Sequence, residues 1–446
     1  MQLLVSANPA VHHIETNRRV FPESRSSSPT TSKLSVIDAT VARFSPTAAI
    51  WLHDKPKVIQ TLPSNICSTI SHALNDIIPR HLGRPVVVHG TLDDPGVELV
   101  VVNYDMNLDC VVPSRDERAA RLTEWDASGF PQSDFLPPTK IALMSLNAIK
   151  DPHPLADAIT LMNFMHLWAA RSRMILSKDA EPSELKVLEP VFNPSLLDQV
   201  AGLRHGRPPD LEKISKARLL AMHPSTDELS RTELSPSTLP PWKTWDMGAA
   251  VTHAQIRFSA DELARMKDAA RASLLGNLKS LRVSRLGAMP GHIWTLISRA
   301  RGYQGHRGSV YMDITLGLRN RVSPPLPGNF VGSPMLLGYV EKAGDQAASE
   351  DLGSAAGSIR HMMSRFMPDA VAAYIHDAAH EVSPQRLWQA FVGSQHTLVT
   401  SWVGAKTYEV DFLGTGDLAR HVQGVMPNID GLVQVMEIAN TGDFDV

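Results

Sequence analysis

A chain of 446 residues with 43% hydrophobic and 20% charged side chains has material for more than one buried core, which excludes wholesale disorder. The formal net charge is −3, so no overall positive field exists to hold phosphate backbones, and nucleic acid is not an expected partner. Two cysteines, Cys67 and Cys110, are too few for a disulfide framework and lack zinc-site spacing; they read as reduced core thiols. The N-terminus has no basic segment followed by a long apolar one, and no later run approaches the length of a membrane span, so the default compartment is the cytoplasm and no membrane partner is expected.

In chain order, a Ser/Thr-rich stretch, "SRSSSPTTSKLS", gives way to strand-like runs, "TAAIWLH", "PVVVHG" and "VELVVVNYD", each closed by Gly, Pro, Asn or Asp. Between them "NICSTISHALNDIIPRHL" has the apolar spacing of a helix. "KIALMSLNAI" is a further strand candidate, and "LADAITLMNFMHLWAARSR" reads as an amphipathic helix with Pro154 in its first turn, where a missing N–H is harmless. From Gly202 to Gly248 the text is rich in Pro, Ser and charge, as a crossover would be. The expected division is therefore an N-terminal domain over 1–201, a linker over 202–248 and a C-terminal domain over 249–446.

The second half reopens with the alternating "THAQIRF" and with "SADELARMKDAA", whose Ser259 and Glu262 form a capping box. "SVYMDITLGL" is strand-like and "DAVAAYIHDAAHEV" helix-like, and "HTLVTSW", "TYEVDF" and "GLVQVMEI" close the chain as strands. Both halves mix strands and helices, and no fixed-period repeat points to a solenoid or propeller.

There is no G-x-S-x-G elbow, no G-x-G-x-x-G after a strand and no P-loop, which takes weight from hydrolase, dehydrogenase and P-loop readings. His376 and His380 stand at i and i+4, but the order is H-D-x-x-H and no third ligand is evident. Two histidines on the wet face of a helix are the expectation, and no metal is assigned. "DFLGTGD" hints at a phosphate nest, yet no helix start follows it. His153 and Asp157 are four apart; with Pro154 opening the helix, His153 falls at the N-cap and Asp157 one turn inside, so their side chains need not meet.

The order of several separated motifs resembles the BAHD acyltransferases, the H-x-x-x-D enzymes of plant and fungal specialised metabolism. "SSPTTSKLSVIDATVARFSPTAAIWLH" is similar to that family's "P-T…LS-x-x-D" opening, and His153 and Asp157 match H-x-x-x-D. "VSRLGAMPGHIW", "RNRVSPPLPGNFVGSP" and "TSWVGAKTYEVDFLGTG" resemble the later family motifs in the same order. The chain departs from the pattern at Ala158, where glycine is usual, and in "DFLGTG", where the family has D-F-G-W-G.

The resemblance implies two similar domains, each a mixed β-sheet with flanking helices of the chloramphenicol-acetyltransferase kind, joined by a long crossover. It implies acyl-CoA, acetyl-CoA by family habit, as co-substrate, a small-molecule alcohol as acceptor, no bound cofactor or metal, and a monomer. His153 would be the general base, and Trp402 of "TSW" would offer its indole N–H to the oxyanion. Thr400 would line the channel. Asp157 would turn away from the substrate to pair with an arginine, for which Arg285 is the match chosen. Asp411 and Gly414 would be structural, and Arg319 and Arg321 would support the "PPLP" turn. Two other readings stay open: a relative using His153 for proton transfer in a cyclisation or elimination without an acyl donor, and a non-catalytic binding protein.

Overall fold

The computed structural model describes residues 12–21, 27–28, 30–41, 47–54, 75–81, 84–89, 97–104, 107–120, 124–125, 155–176, 189–203, 250–274, 282–349, 351–379, 393–425, 429–438 and 441–446. Strands β1 (His12–Val20) and β2 (Thr30–Lys33) come first, followed by the short helix α1 (Val36–Thr40) and β3 (Ala49–Leu52). Next are β4 (Asn75–His81), β5 (Arg84–His89), β6 (Val97–Tyr104), α2 (Arg115–Ala120) and β7 (Glu124–Trp125), before the long helix α3 (Ala158–Leu176) and α4 (Ser195–Val200). The chain continues through β8 (Gln255–Phe258), α5 (Ala260–Ala272), α6 (Arg285–Ala300), β9 (Ser309–Gly317) and β10 (Met335–Ala343). It ends with α7 (Gly344–Ala347), α8 (Leu352–Ser364), α9 (Pro368–Ala378), β11 (His396–Ser401), β12 (His421–Gly424), β13 (Leu432–Glu437) and β14 (Phe444–Asp445).

The largest sheet has the order β10-β9-β11-β13-β14-β8-β7, with β9, β11 and β13 mutually parallel at its centre. Alternation along β9 sends Val310, Met312, Ile314 and Leu316 to one face, where they join Ile293 and Trp294 of α6 and Ile359 and Met362 of α8 in a common core. Full burial of a side chain such as Ile359 stabilises the fold by about 1.5–3 kcal/mol. Helix α5 begins at the expected capping box, with Ser259 and Glu262 each satisfying the other's backbone N–H.

The two halves of the sequence interlock. Val36 and Ile37 of α1 are part of the core under the large sheet, and β7 pairs with β8 at that sheet's edge. In the other direction β12 pairs with β3, and Arg420 beside it donates to Asp54 (2.7 Å) and Asp109 (2.6 Å).

Several local readings are corrected. The stretch expected as a helix over 65–82 holds a strand over Asn75–His81, paired with β5; Pro79 has no N–H to give a helix, and Ile77 and Ile78 before it are β-branched. "TYEVDF" holds a short 3₁₀ turn, Thr407–Glu409, instead of a strand, and the Thr407 carbonyl accepts from the Trp51 indole at 2.9 Å. Cys110 is exposed, so it is not a core thiol. His376 is buried, not on a wet face, and its Nδ1 lies 3.2 Å from the Ala201 carbonyl. Cys67, His380, "KIALMSLNAI" and nearly all of the expected linker lie outside the described residues.

Candidate active site

The site is built around the start of α3. Asp157 caps this helix: its Oδ1 accepts the Thr160 N–H at 2.9 Å and its backbone carbonyl accepts that of Leu161 at 3.0 Å. The helix therefore starts at Ala158, not at Pro154, and Asp157 stands at the cap and not one turn inside. His153, four positions earlier, lies outside the described residues.

The same carboxylate is held by Arg319 in a two-pronged ion pair, Nη1 to Oδ2 at 2.5 Å and Nη2 to Oδ1 at 2.9 Å. Both side chains are nearly buried, at 10% and 12% exposure. Arg319 Nη2 also donates to Thr160 Oγ1 (2.9 Å) and to the Phe330 carbonyl (3.1 Å). This corrects the choice of Arg285, which starts α6 and donates to the Gly442 carbonyl at 3.2 Å. Arg319 takes the place because it leaves the end of β9 beside the 330–333 segment on which Asp157 rests. Arg321, two residues on, reaches instead to the carbonyls of Met363 and Phe366.

That segment is pinned from two sides. The Gly332 carbonyl accepts both the Asp157 N–H (3.2 Å) and the Thr160 hydroxyl (2.8 Å), and Ala156 and Gly332 form a parallel bridge. From the other side Asp38 of α1, 1% exposed, accepts the Ser333 N–H at 2.7 Å and the Ser35 hydroxyl at 2.6 Å. Only glycine fits at 332, since a Cβ there would lie 2.7 Å from Phe330 Cε1 and 2.9 Å from Asp38 Oδ1.

Burial pushes the Asp38 carboxyl up to about 7; Asp157 adds to the rise, while the bonds from Ser35 and Ser333 and the charge of Arg319 oppose it. The folded protein then holds a proton that the unfolded chain has released, so this group's contribution is fully present below about pH 4 and is lost as pH rises to about 7. Asp38→Asn, which does not titrate, is expected to gain in melting temperature on the wild type between pH 5 and pH 8. A difference that stays flat over that range would contradict the assignment.

The remaining candidates lie in β11 and in the segments that follow it. Trp402 follows β11 and is buried in a cluster with Met162, Met165 and Ala169 of α3, so it packs on the helix that Asp157 caps. Thr400 sits in β11 with its Oγ1 3.3 Å from that of Thr315 in β9. The loop from Asp411 wraps its own carboxylate: Oδ1 accepts from the N–H of Leu413 and Gly414, and Oδ2 from that of Gly416. Gly414 and Gly416 have φ of 73° and 72°, and Arg173 of α3 donates to the Asp411 carbonyl at 2.5 Å. Arg173 lies sixteen residues beyond the cap, about 24 Å along the helix, so this loop is remote from Asp157. Among the described residues, no group of three or more His, Cys, Asp or Glu side chains could hold a metal ion, and no helix is long and apolar enough to cross a membrane.

A buried aspartate capping a helix, locked to an arginine from the other half of the chain and placed four residues after a histidine, is the arrangement that H-x-x-x-D acyltransferases imply. The sequence matches the Transferase family over residues 148–445, and the chain belongs to that family, the BAHD-type acyltransferases. It is 25% identical to Acyltransferase AFT15-1 of Alternaria alternata, the match covering 90% of this chain and 85% of that protein. Acyltransferase abl6 of Leptosphaeria maculans is 23% identical with the same coverage. The fold is similar to that of F. graminearum TRI101 complexed with coenzyme A and T-2 mycotoxin, with a TM-score of 0.64 at 13% identity over 93% of this chain and 94% of that one. Vinorine synthase has a TM-score of 0.60 at 14% identity, over 98% of this chain and 94% of its own. The protein is therefore an acyltransferase of the two-domain α/β type that the sequence implied.

Proposed function

We propose that the protein transfers an acyl group, acetyl in the first instance, from coenzyme A to a hydroxyl of a specialised metabolite, with His153 as the general base. The observation that supports this best is the fate of Asp157. Its oxygens are taken up by Arg319 and by the helix N-terminus, which suits an aspartate that positions the histidine segment and leaves proton transfer to His153.

In this reading the imidazole takes the hydroxyl proton as the oxygen attacks the thioester carbonyl. The C–S bond then breaks, and the departing thiolate takes the proton back from the imidazolium. The Trp402 indole N–H is the proposed donor to the intermediate's oxyanion, and Thr400 a channel residue. The first role rests on the match of Trp402 to the "TSW" segment; the indole itself is buried in the cluster with Met162 and Met165. Coenzyme A bound together with T-2 mycotoxin or with deoxynivalenol in the TRI101 complexes supports the substrate classes. Direct transfer needs both substrates bound together.

The test is to incubate purified protein with labelled acetyl-CoA and an extract of the source organism and to seek a labelled small molecule. Initial-rate lines that intersect are expected. Parallel lines with a trapped acyl-enzyme would overturn the direct mechanism.

A further inference from the structure

We infer that Asp38, far from Asp157 in sequence, is a positioning residue for Asp157 and the start of α3, acting through the backbone of Gly332 and Ser333. The catalytic part of this inference rests on the function proposed above; the mechanical part does not.

The chain of contacts is short, buried at Asp38, Gly332, Ser333 and Thr160 and partly buried at Asp157. Ser35 caps α1 through the Asp38 N–H (3.0 Å) and gives its hydroxyl to Asp38 Oδ2, so the carboxylate is fixed before it meets its target. Oδ1 then takes the Ser333 N–H at 2.7 Å. One residue earlier, the Gly332 carbonyl receives the Asp157 N–H and the Thr160 hydroxyl, and the Gly332 N–H lies 3.4 Å from the Thr160 oxygen. A shift of Ser333 would thus pass to both residues that set the start of α3 and the reach of Arg319. The charged groups acting on Asp38 are Asp157 and Arg319 themselves, which ties it to the same network. Among the described residues its hydrogen bonds run to Ser35 and to the Ser333 N–H, so the route by which it would act on transfer is this backbone. Small displacements of this kind weigh heavily, since a misplacement of about 1 Å can cost about a hundredfold in rate.

Two variants separate positioning from bulk stability. Asp38→Ala removes the acceptor, whereas Asp38→Asn keeps an oxygen for the Ser333 N–H and offers its amide to the Ser35 oxygen. Hydrogen exchange and steady-state kinetics with acetyl-CoA are measured on the full chain. In Asp38→Ala the amides of Asp157, Thr160 and Ser333 are expected to exchange at least about tenfold faster while β9 and β11 keep their protection. In the same variant kcat falls about tenfold to a hundredfold with the KM for acetyl-CoA within about twofold. Asp38→Asn restores both readouts to near wild type.

Ser35→Ala frees the carboxylate without deleting it, and keeps the test open should Asp38→Ala not fold; its exchange at Asp157 should rise by less, in the same places. Unchanged exchange over 157–161, or a uniform rise across the whole sheet, would overturn the inference, as would an asparagine variant as impaired as the alanine one. A wild-type protein that transfers no acyl group would defeat the functional reading alone, since the exchange pattern would still decide whether Asp38 holds this segment.

Discussion

Arg319→Ala is expected to destabilise the fold by about 3–5 kcal/mol and to abolish transfer. Removing one member of a buried pair leaves the other charge without compensation, here the Asp157 carboxylate at 12% exposure. The guanidinium also serves Thr160 and the Phe330 carbonyl, so its loss frees polar groups on both α3 and the 330–333 segment. Arg319→Lys should recover only part of the loss, because an ammonium cannot engage both carboxylate oxygens in the planar fork that Arg319 uses. Arg285→Ala is the control; its exposed contact is a single bond to the Gly442 carbonyl, and a change within about 1 kcal/mol is expected. Denaturant unfolding of the single variants and of Asp157→Ala/Arg319→Ala gives the coupling directly. Equal losses for Arg285→Ala and Arg319→Ala, or a coupling near zero, would contradict the pairing.

The two arginines also show where sequence stops being informative. Arg285, Arg319 and Arg321 all lie in motifs of the family, and the ion pair with Asp157 spans 162 positions. What singles out Arg319 is that the end of β9 runs beside Gly332, a matter of tertiary register that no local pattern encodes. The cap at Asp157 was closer to legible, since an aspartate directly before an apolar-periodic run is a local N-cap signal. The proline at 154 drew the helix start too early. Features decided by neighbours in sequence were readable: α3, the alternation of β9, β11 and β13, and the Ser259–Glu262 box. Burial was not, as Cys110 and His376 show, because which face of a short element meets the core depends on distant chain. Asp38 was legible as the aspartate of the "LS-x-x-D" opening, but not its role, because its partner at Ser333 lies 295 positions away.

His153→Ala is expected to keep the fold and to lose acyl transfer by at least about a hundredfold, the lower end of what a positioned general base contributes. Asp157 cannot take over as base in this variant, because its carboxylate remains engaged by Arg319 and by the Thr160 N–H. The effect should fall on kcat with little change in the KM for acetyl-CoA, since a base acts on the transition state and not on donor binding. Thermal shift separates the two contributions: coenzyme A should still raise the melting temperature of His153→Ala by an amount that grows with its concentration over its dissociation constant. Asp157→Ala should differ by losing stability and turnover together, as the truncation leaves Arg319 buried and unpaired. A His153→Ala enzyme with near wild-type turnover would remove the histidine from the mechanism. A wild-type protein that no acyl-CoA stabilises would instead favour proton transfer by His153 on a substrate that carries its own leaving group, with the Asp157–Arg319 pair still needed to hold the segment in place.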